Sequence, residues 1–233
     1  MRIVVFGANG ATGRQLIDQA LAAGHKVAAV TRRPDDIPPR DQLTVVGADV
    51  TDAEAVEAAS AGSDAVLSAL GVSFSRKPIT VYSLGATNII AAMHQHAVPR
   101  LVIVSSATLD PAYRPSDSFF FNRVMDPLFR TRPGRTLYDD LRRMEALVRA
   151  SDLDWTIIRP TWLFNTAAVT DYQLAENSAD GMYTARADLA ASMLAQLTDD
   201  RFVHKAIGII TTAVKPNIIQ QIWHESIKKV KKK

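Results

Sequence analysis

Three glycines spaced three apart, in the run Gly7-Ala8-Asn9-Gly10-Ala11-Thr12-Gly13, follow a β-branched apolar run and open a stretch of helical periodicity. That context gives each glycine a task. Gly7 allows a tight strand-to-helix turn, Gly10 lets the backbone approach a bulky anion, and Gly13 lets the helix lie close on the strand. The free N–H groups and dipole of a helix start bind phosphate oxygens, and the Thr12 hydroxyl can add a donor beside Asn9 and Ala11. The chemistry implied is the holding of a dinucleotide pyrophosphate, with the spacing GxxGxxG in place of GxGxxG.

The end of the next apolar run indicates which dinucleotide. A site for NADH places Asp or Glu about 20 residues beyond the glycines, on the ribose 2′-hydroxyl. Here that run closes with Val30-Thr31-Arg32-Arg33, and the first carboxylate is Asp35. An arginine at this place pairs a 2′-phosphate through charge-assisted bonds, so NADPH is the expected cofactor. Ligands of open α/β sheets lie outside the carboxyl ends of the strands. Asp49 and Val50 are therefore expected beside the adenine, and Ala69, Leu70 and Gly71 near the ribose and phosphates. Ser105, Ser106, Pro160 and Trp162 are expected around the nicotinamide.

The elements that must position these residues alternate along the chain. Apolar runs at Ile3–Phe6, Lys26–Thr31, Leu43–Val46, Ala65–Ala69, Leu101–Val104 and Trp155–Arg159 read as buried strands. Between them, sets such as Leu16, Ile17, Ala20 and Leu21, or Leu141, Met144, Leu147 and Val148, recur at helical spacing. Strands apolar throughout and separated by amphipathic helices predict an α/β fold, a doubly wound parallel sheet of the Rossmann type. One domain spanning 1–233 is expected, with a small irregular C-terminal substrate region. Residues 107–136 and 161–186 are expected to form the substrate and lid region, in which Phe119, Phe121, Phe129, Trp162 and Phe164 could stack on a planar acceptor. A helix from near Asp188, a strand near Lys205–Ile210 and a last helix carrying Ile218, Ile219, Ile222 and Trp223 close the pattern.

Composition excludes several classes. The chain is 47% hydrophobic and 22% charged, as folded globular proteins are. The absence of cysteine removes disulfide scaffolds, thiolate zinc sites and cysteine nucleophiles together. No apolar run approaches the ~20 residues of a membrane helix. The first glycine arrives at Gly7, too early for a signal peptide, so the cytoplasm is the expected compartment and no membrane is expected as a partner. The formal net charge is +3, but five of the residues 228–233 are lysine, and residues 1–227 alone carry −2. The basicity belongs to a tail read as a solvated terminus, and no nucleic acid is expected. The expected partner is a small-molecule substrate, with the chain a monomer or homodimer. His94-Gln95-His96 falls on a helix, where i and i+2 do not share a face, so no metal site is expected.

Taken together, GANGATG, Asp49-Val50, Ala69-Leu70-Gly71, Ser105-Ser106-Ala107, the run from Asp152 to Pro160 and the segment Arg186-Ala187-Asp188-Leu189-Ala190-Ala191 resemble the atypical short-chain dehydrogenase/reductases. More narrowly, they resemble the NAD(P)H-binding group that includes biliverdin reductase B (flavin reductase) and the NmrA-like proteins. The resemblance implies hydride transfer from NADPH to a flat conjugated molecule (flavin, quinone or aromatic metabolite), with Ser106 beside the acceptor. An NADPH-sensing regulator of the NmrA-like type, or an isomerase or epimerase with a retained nucleotide, are the alternatives. Two departures stand out. The Tyr-x-x-x-Lys pair of many short-chain dehydrogenases is approached only by Tyr138 with Arg142, one residue out of register with Leu137 and Leu141, and arginine does not replace lysine in lowering a tyrosine pKa. Tyr138 is thus a candidate catalytic residue or a packing residue. The biliverdin reductase B-like group also carries an arginine shortly after the Leu-Gly pair, where this chain has Val72-Ser73.

Overall fold

Strand β1 (Arg2–Phe6) is buried on both faces except at its first residue, so every side chain from Ile3 to Phe6 must find an apolar partner. It finds them alternately. Val4 and Phe6 pack into one core layer, Ile3 and Val5 into the other, following the two-residue period of a strand. The computed structural model describes residues 1–73, 75, 77–114 and 135–216; Phe119, Phe121 and Phe129, the expected last helix and the basic tail lie outside them.

The chain order is β1, α1 (Ala11–Ala22), β2 (Lys26–Thr31), β3 (Leu43–Gly47), α2 (Ala53–Ser60), β4 (Ala65–Ser68), α3 (Val81–Gln95), β5 (Arg100–Val104), α4 (Arg135–Ala150), β6 (Asp154–Pro160), β7 (Trp162–Phe164), β8 (Tyr172–Glu176), β9 (Tyr183–Ala185), α5 (Arg186–Ala195) and β10 (Lys205–Thr211). Eight strands form one sheet in the order β3-β2-β1-β4-β5-β6-β10-β8. All neighbours are parallel except β8, which runs antiparallel to β10 at the edge. The protein thus has the doubly wound α/β fold of the Rossmann type. Strand order reverses between β1, which pairs Ile3 with Val27 of β2, and β4, which pairs Ala65 with the same Ile3. That reversal opens a crevice at the carboxyl edge of the sheet.

Helices cover both faces. α2, α3 and α4 bury Val56, Ile89 and Met144 on one side, while α1 and α5 bury Leu16, Ile17, Leu189 and Met193 on the other. Each such side chain contributes about 1.5–3 kcal/mol by leaving water. In α4, Leu137, Leu141, Met144 and Val148 face inward, and Arg135, Arg142 and Arg149 face outward. Polar groups also reach the interior with a task. Asp140 of α4, fully buried, accepts bonds from the Tyr82 and Ser83 N–H groups at 2.8 and 3.4 Å and caps the start of α3, whose own Thr80 offers no side-chain cap. A helix start has no internal partners for its first N–H groups, and a carboxylate there also meets the positive end of the dipole.

The region after Pro160 is more regular than its sequence suggests. β7 and β9 form a second, two-stranded parallel sheet, with Trp162 opposite Tyr183 and Phe164 opposite Ala185. Thr184 fastens it to the main sheet by donating to the Ile209 carbonyl at 2.7 Å. Gly208 of β10 lets the chain cross close by, since a Cβ there would stand 2.3 Å from the Ala179 nitrogen.

Candidate dinucleotide site

The turn after β1 is built by close backbone approaches. Gly7 has φ +77°, the left-handed region that other residues avoid, and a Cβ on it would come within 2.6 Å of the Ala69 carbonyl oxygen. A Cβ on Gly13 would stand 2.2 Å from the Gly7 oxygen, so the first turn of α1 rests directly on the loop below it. Gly10 differs. Its φ of −69° suits any residue, and among the described residues a Cβ would meet the Gly7 oxygen at 3.1 Å. Gly10 is the N-cap of α1, and no side chain caps that end. The turn therefore presents helix-start N–H groups beside a residue with no side chain, a cradle that fits a pyrophosphate.

A cleft of about 400 Å³ opens above this turn. Gly7, Asn9, Gly10, Ala11 and Thr12 form its floor; Thr31, Arg32, Arg33, Asp49 and Val50 line one side. Ala69, Leu70, Gly71 and Val72 line the far side of the switch point, with Val104, Leu163 and Arg186 beyond. Of the residues expected at the cofactor, Gly13 lies beneath the turn and does not reach the cleft surface.

The adenosine side carries paired charges. Arg32 faces Asp49 at 3.9 Å, and Arg33 faces Asp36 at 3.2 Å, with both arginine side chains more than two-thirds exposed. The Thr51 N–H and hydroxyl donate to Asp49 and hold its carboxyl below the ordinary aspartate range. Asp36 is shared. Asn9 Nδ2 donates to its carboxylate at 2.8 Å, and Arg14 bridges the Asn9 amide and the Asp36 carbonyl. The loop after β2 is thereby tied to the phosphate turn. Exposed ion pairs contribute little, about 0–1 kcal/mol, so a phosphate dianion can recruit these arginines.

On the nicotinamide side, several of the expected residues lie off the cleft. Ser105 is buried, and its hydroxyl donates to Glu145 Oε1 at 2.7 Å; it does not line the cleft. The same carboxylate receives Arg159 in a two-pronged pair, Nε to Oε1 at 2.9 Å and Nη2 to Oε2 at 2.6 Å. Ser105 is thus the third member of a buried ion-pair cluster joining β5, α4 and β6. Pro160 ends β6 inside the sheet, opposite Ile209. Trp162 is 42% exposed, while Phe164 is buried edge-on against Tyr183; none of these lines the cleft. Ser106 hydrogen-bonds Thr108 at 2.9 Å in a part-buried position after β5.

Tyr138 is buried in the α4 face of the core and does not line the cleft, because the one-residue offset from Leu137 and Leu141 is taken up inside the hydrophobic layer. A different tyrosine approaches the cleft. The Tyr82 hydroxyl, on α3, accepts the Val72 N–H at 3.1 Å and fixes the segment after Gly71. Burial raises its pKa, the opposite of what a proton donor assisted by lysine requires. His94 and His96 pair with Asp152 and Glu57, each at 2.7 Å.

Comparison with known proteins agrees with this geometry. A family model described as NAD(P)H-binding matches residues 7–200. The chain belongs to this NAD(P)H-binding family. The matched segment takes in the lining of the cleft from Gly7 to Arg186, all but Phe6. Among curated relatives of this family member, an uncharacterised protein of Mycobacterium tuberculosis is 37% identical over 107 residues, 46% of this chain and 12% of the relative; the chain therefore spans a small part of the first relatives it matches. A short-chain dehydrogenase/reductase from Veillonella parvula in complex with NADP superposes with a TM-score of 0.76 at 20% identity, covering 93% of this chain and 99% of that one. ChuY, an anaerobillin reductase from Escherichia coli O157:H7, superposes with a TM-score of 0.72 at 23% identity, covering 93% and 100%. Both share the fold. Among the described residues no helix is long and apolar enough to cross a membrane.

Sequence reasoning did not single out Val72 or Val104 at the cleft, and it placed Leu163 and Arg186 only as members of the expected 161–186 substrate region. Arg186 opens the RADLAA segment, yet its approach depends on the pairing of β7 with β9, which no local pattern announces.

Proposed function

We propose that the protein is an NADPH-dependent reductase acting on a flat conjugated small molecule such as a flavin, a quinone or an aromatic metabolite. The observation that carries this reading is the arginine pair, Arg32 and Arg33, lining the same cleft as the uncapped turn at Gly10. When bound, reduced nicotinamide supplies the hydride. The chain's own residues would bind, orient and exclude water. Helix-start N–H groups from Ala11 and Thr12 would hold the pyrophosphate, and Arg32 and Arg33 a 2′-phosphate. Leu70, Val72, Val104 and Leu163 supply an apolar wall beyond them. With Tyr138 in the core and the Tyr82 phenol bound to Val72, the acceptor's proton is assigned to solvent. ChuY, an anaerobillin reductase, shares the fold, and a reductase reading accords with that likeness.

A second reading is favoured by the burial of Tyr138 away from the cleft: a regulator that senses NADPH without turnover. Loss of the reduced-nicotinamide absorbance with FMN, FAD or a small quinone separates the two, since a sensor binds NADPH and oxidises none. For cofactor choice, Arg32→Ala with Arg33→Ala is expected to weaken NADPH about 10- to 100-fold, the loss of one or two charge-assisted contacts. NADH binding should stay within about twofold. Calorimetric titration of both nucleotides checks this, and equal losses would remove the 2′-phosphate assignment.

A further inference from the structure

Helix α3 starts at the cleft, where Val81 is part of the lining. Beyond Val81, residues 82, 85 and 88 share one stripe of the helix, because positions three apart are neighbours on its surface. Each meets a different piece of the cleft. The Tyr82 hydroxyl accepts the Val72 N–H at 3.1 Å. Asn88 Nδ2 donates to the Val50 carbonyl at 3.0 Å. Gly85, between them, acts by having no side chain. A Cβ there would stand 3.0 and 3.2 Å from the two Val50 methyls and 3.3 Å from a Leu70 methyl. Favourable carbon contacts begin at about 3.5 Å, so Val50 and Leu70 rest against bare helix backbone. Val50 lines one side of the cleft, and Leu70 and Val72 line the other. The two sides converge over Gly85 and form an apolar shelf. The helix beneath is held in place, since Asp140 caps its start and Ile89 and Met93 are buried in the core. An atom added at Gly85 therefore lifts the shelf into the cleft.

We infer that Tyr82, Gly85 and Asn88 are positioning residues for the adenine base of the cofactor. Acting through Val72, Leu70 and Val50, they set the height of the apolar shelf offered to the flat purine. This rests on reading the cleft as the dinucleotide site and needs no turnover. Wild type, Gly85→Ala, Tyr82→Phe and Asn88→Ala are titrated calorimetrically with NADPH, NADH and ADP, which share only adenosine 5′-diphosphate. Gly85→Ala should weaken all three nucleotides about 10- to 100-fold, the effect of one methyl group in an apolar pocket. Tyr82→Phe and Asn88→Ala each release one hydrogen bond to the shelf and should cost about 3- to 10-fold. Val50→Ala clears the space above Gly85, so Gly85→Ala in that background should cost less than about threefold. Urea unfolding of the same proteins separates the roles. A structural role alone would lower the midpoint and leave the affinity of the folded protein unchanged.

Unchanged affinity in all three single variants overturns the assignment. So does a loss toward NADPH that ADP does not share, which would place the effect away from the base. A Gly85→Ala loss that persists undiminished beside Val50→Ala overturns it as well, since the shelf would not be its cause. If Gly85→Ala does not fold, Tyr82→Phe and Asn88→Ala, each smaller than the residue it replaces, still decide the question. Wild-type protein that binds none of the nucleotides would refute the cofactor reading itself. Protein that binds them, loses them in these variants and oxidises NADPH with no acceptor would refute the reductase and leave the shelf standing.

Discussion

Gly10→Val is expected to yield a folded protein that no longer binds either nicotinamide dinucleotide. The backbone at Gly10 is extended, with φ −69° and ψ 161°, which valine adopts readily. Among the described residues, leaving aside its chain neighbours and its own helix backbone, a Cβ would approach the Gly7 oxygen at 3.1 Å, a contact relieved by a few tenths of an ångström. Stability should therefore fall by about 1 kcal/mol at most. What the valine methyls do fill is the space above the turn, where a pyrophosphate must come within hydrogen-bond distance of the helix-start N–H groups. A loss of more than about 100-fold in NADPH affinity follows from losing two charge-assisted bonds. Gly13→Ala is the contrasting control. Its Cβ would lie 2.2 Å from a backbone oxygen, so it should lower the unfolding midpoint strongly, and any binding defect would follow from that. Calorimetry for binding and urea unfolding for stability separate the two glycines. NADPH affinity retained in Gly10→Val would mean that the turn does not hold the phosphates.

Arg159→Leu should destabilise the protein strongly, far more than Gly10→Val. It strands Glu145, which is 6% exposed and otherwise bound by Ser105, with Arg149 only at 3.6 Å. Removing one partner of a buried ion pair costs about 3–5 kcal/mol, because the remaining charge stays dehydrated without its counterion. Glu145→Leu should cost as much for the converse reason. The double variant, with neither charge left inside, should lie closer to wild type than either single one, since apolar replacement of a complete buried pair is often near neutral. Urea unfolding of the four proteins forms the cycle. Additive losses would show that Glu145 and Arg159 do not act as a pair.

Much of the scaffold was readable from periodicity. Lys26–Thr31 has the same bounds in sequence and structure, the strand expected at Ala65–Ala69 ends at Ser68, and the helix expected from Asp188 begins at Arg186. These segments are buried on both faces or amphipathic, so one local pattern specifies each. β7 and β9 were not readable, because three-residue strands have too few positions to show a period and are held by a partner some twenty residues away. The glycine turn was legible because its demands are local. The place of Ser105 was not legible, for the opposite reason: a hydroxyl just past a strand can face the ligand or the core, and here it bonds Glu145, forty residues on. Asp140 and Arg186 share this property. Their work is done on residues distant in sequence, Tyr82 in one case and Asn165 in the other.

The tie between Asn9, Arg14 and Asp36 has a bearing on engineering. Asp36 serves two structures at once, steadying Arg33 through its carboxylate while joining the loop after β2 to the glycine turn. A cofactor switch made by transplanting the whole 32–36 segment from an NADH enzyme would carry away this brace together with the arginines. If Arg32 and Arg33 hold a 2′-phosphate as proposed, the economical exchange keeps Asp36 and alters those two alone, leaving intact the floor on which either nucleotide would rest.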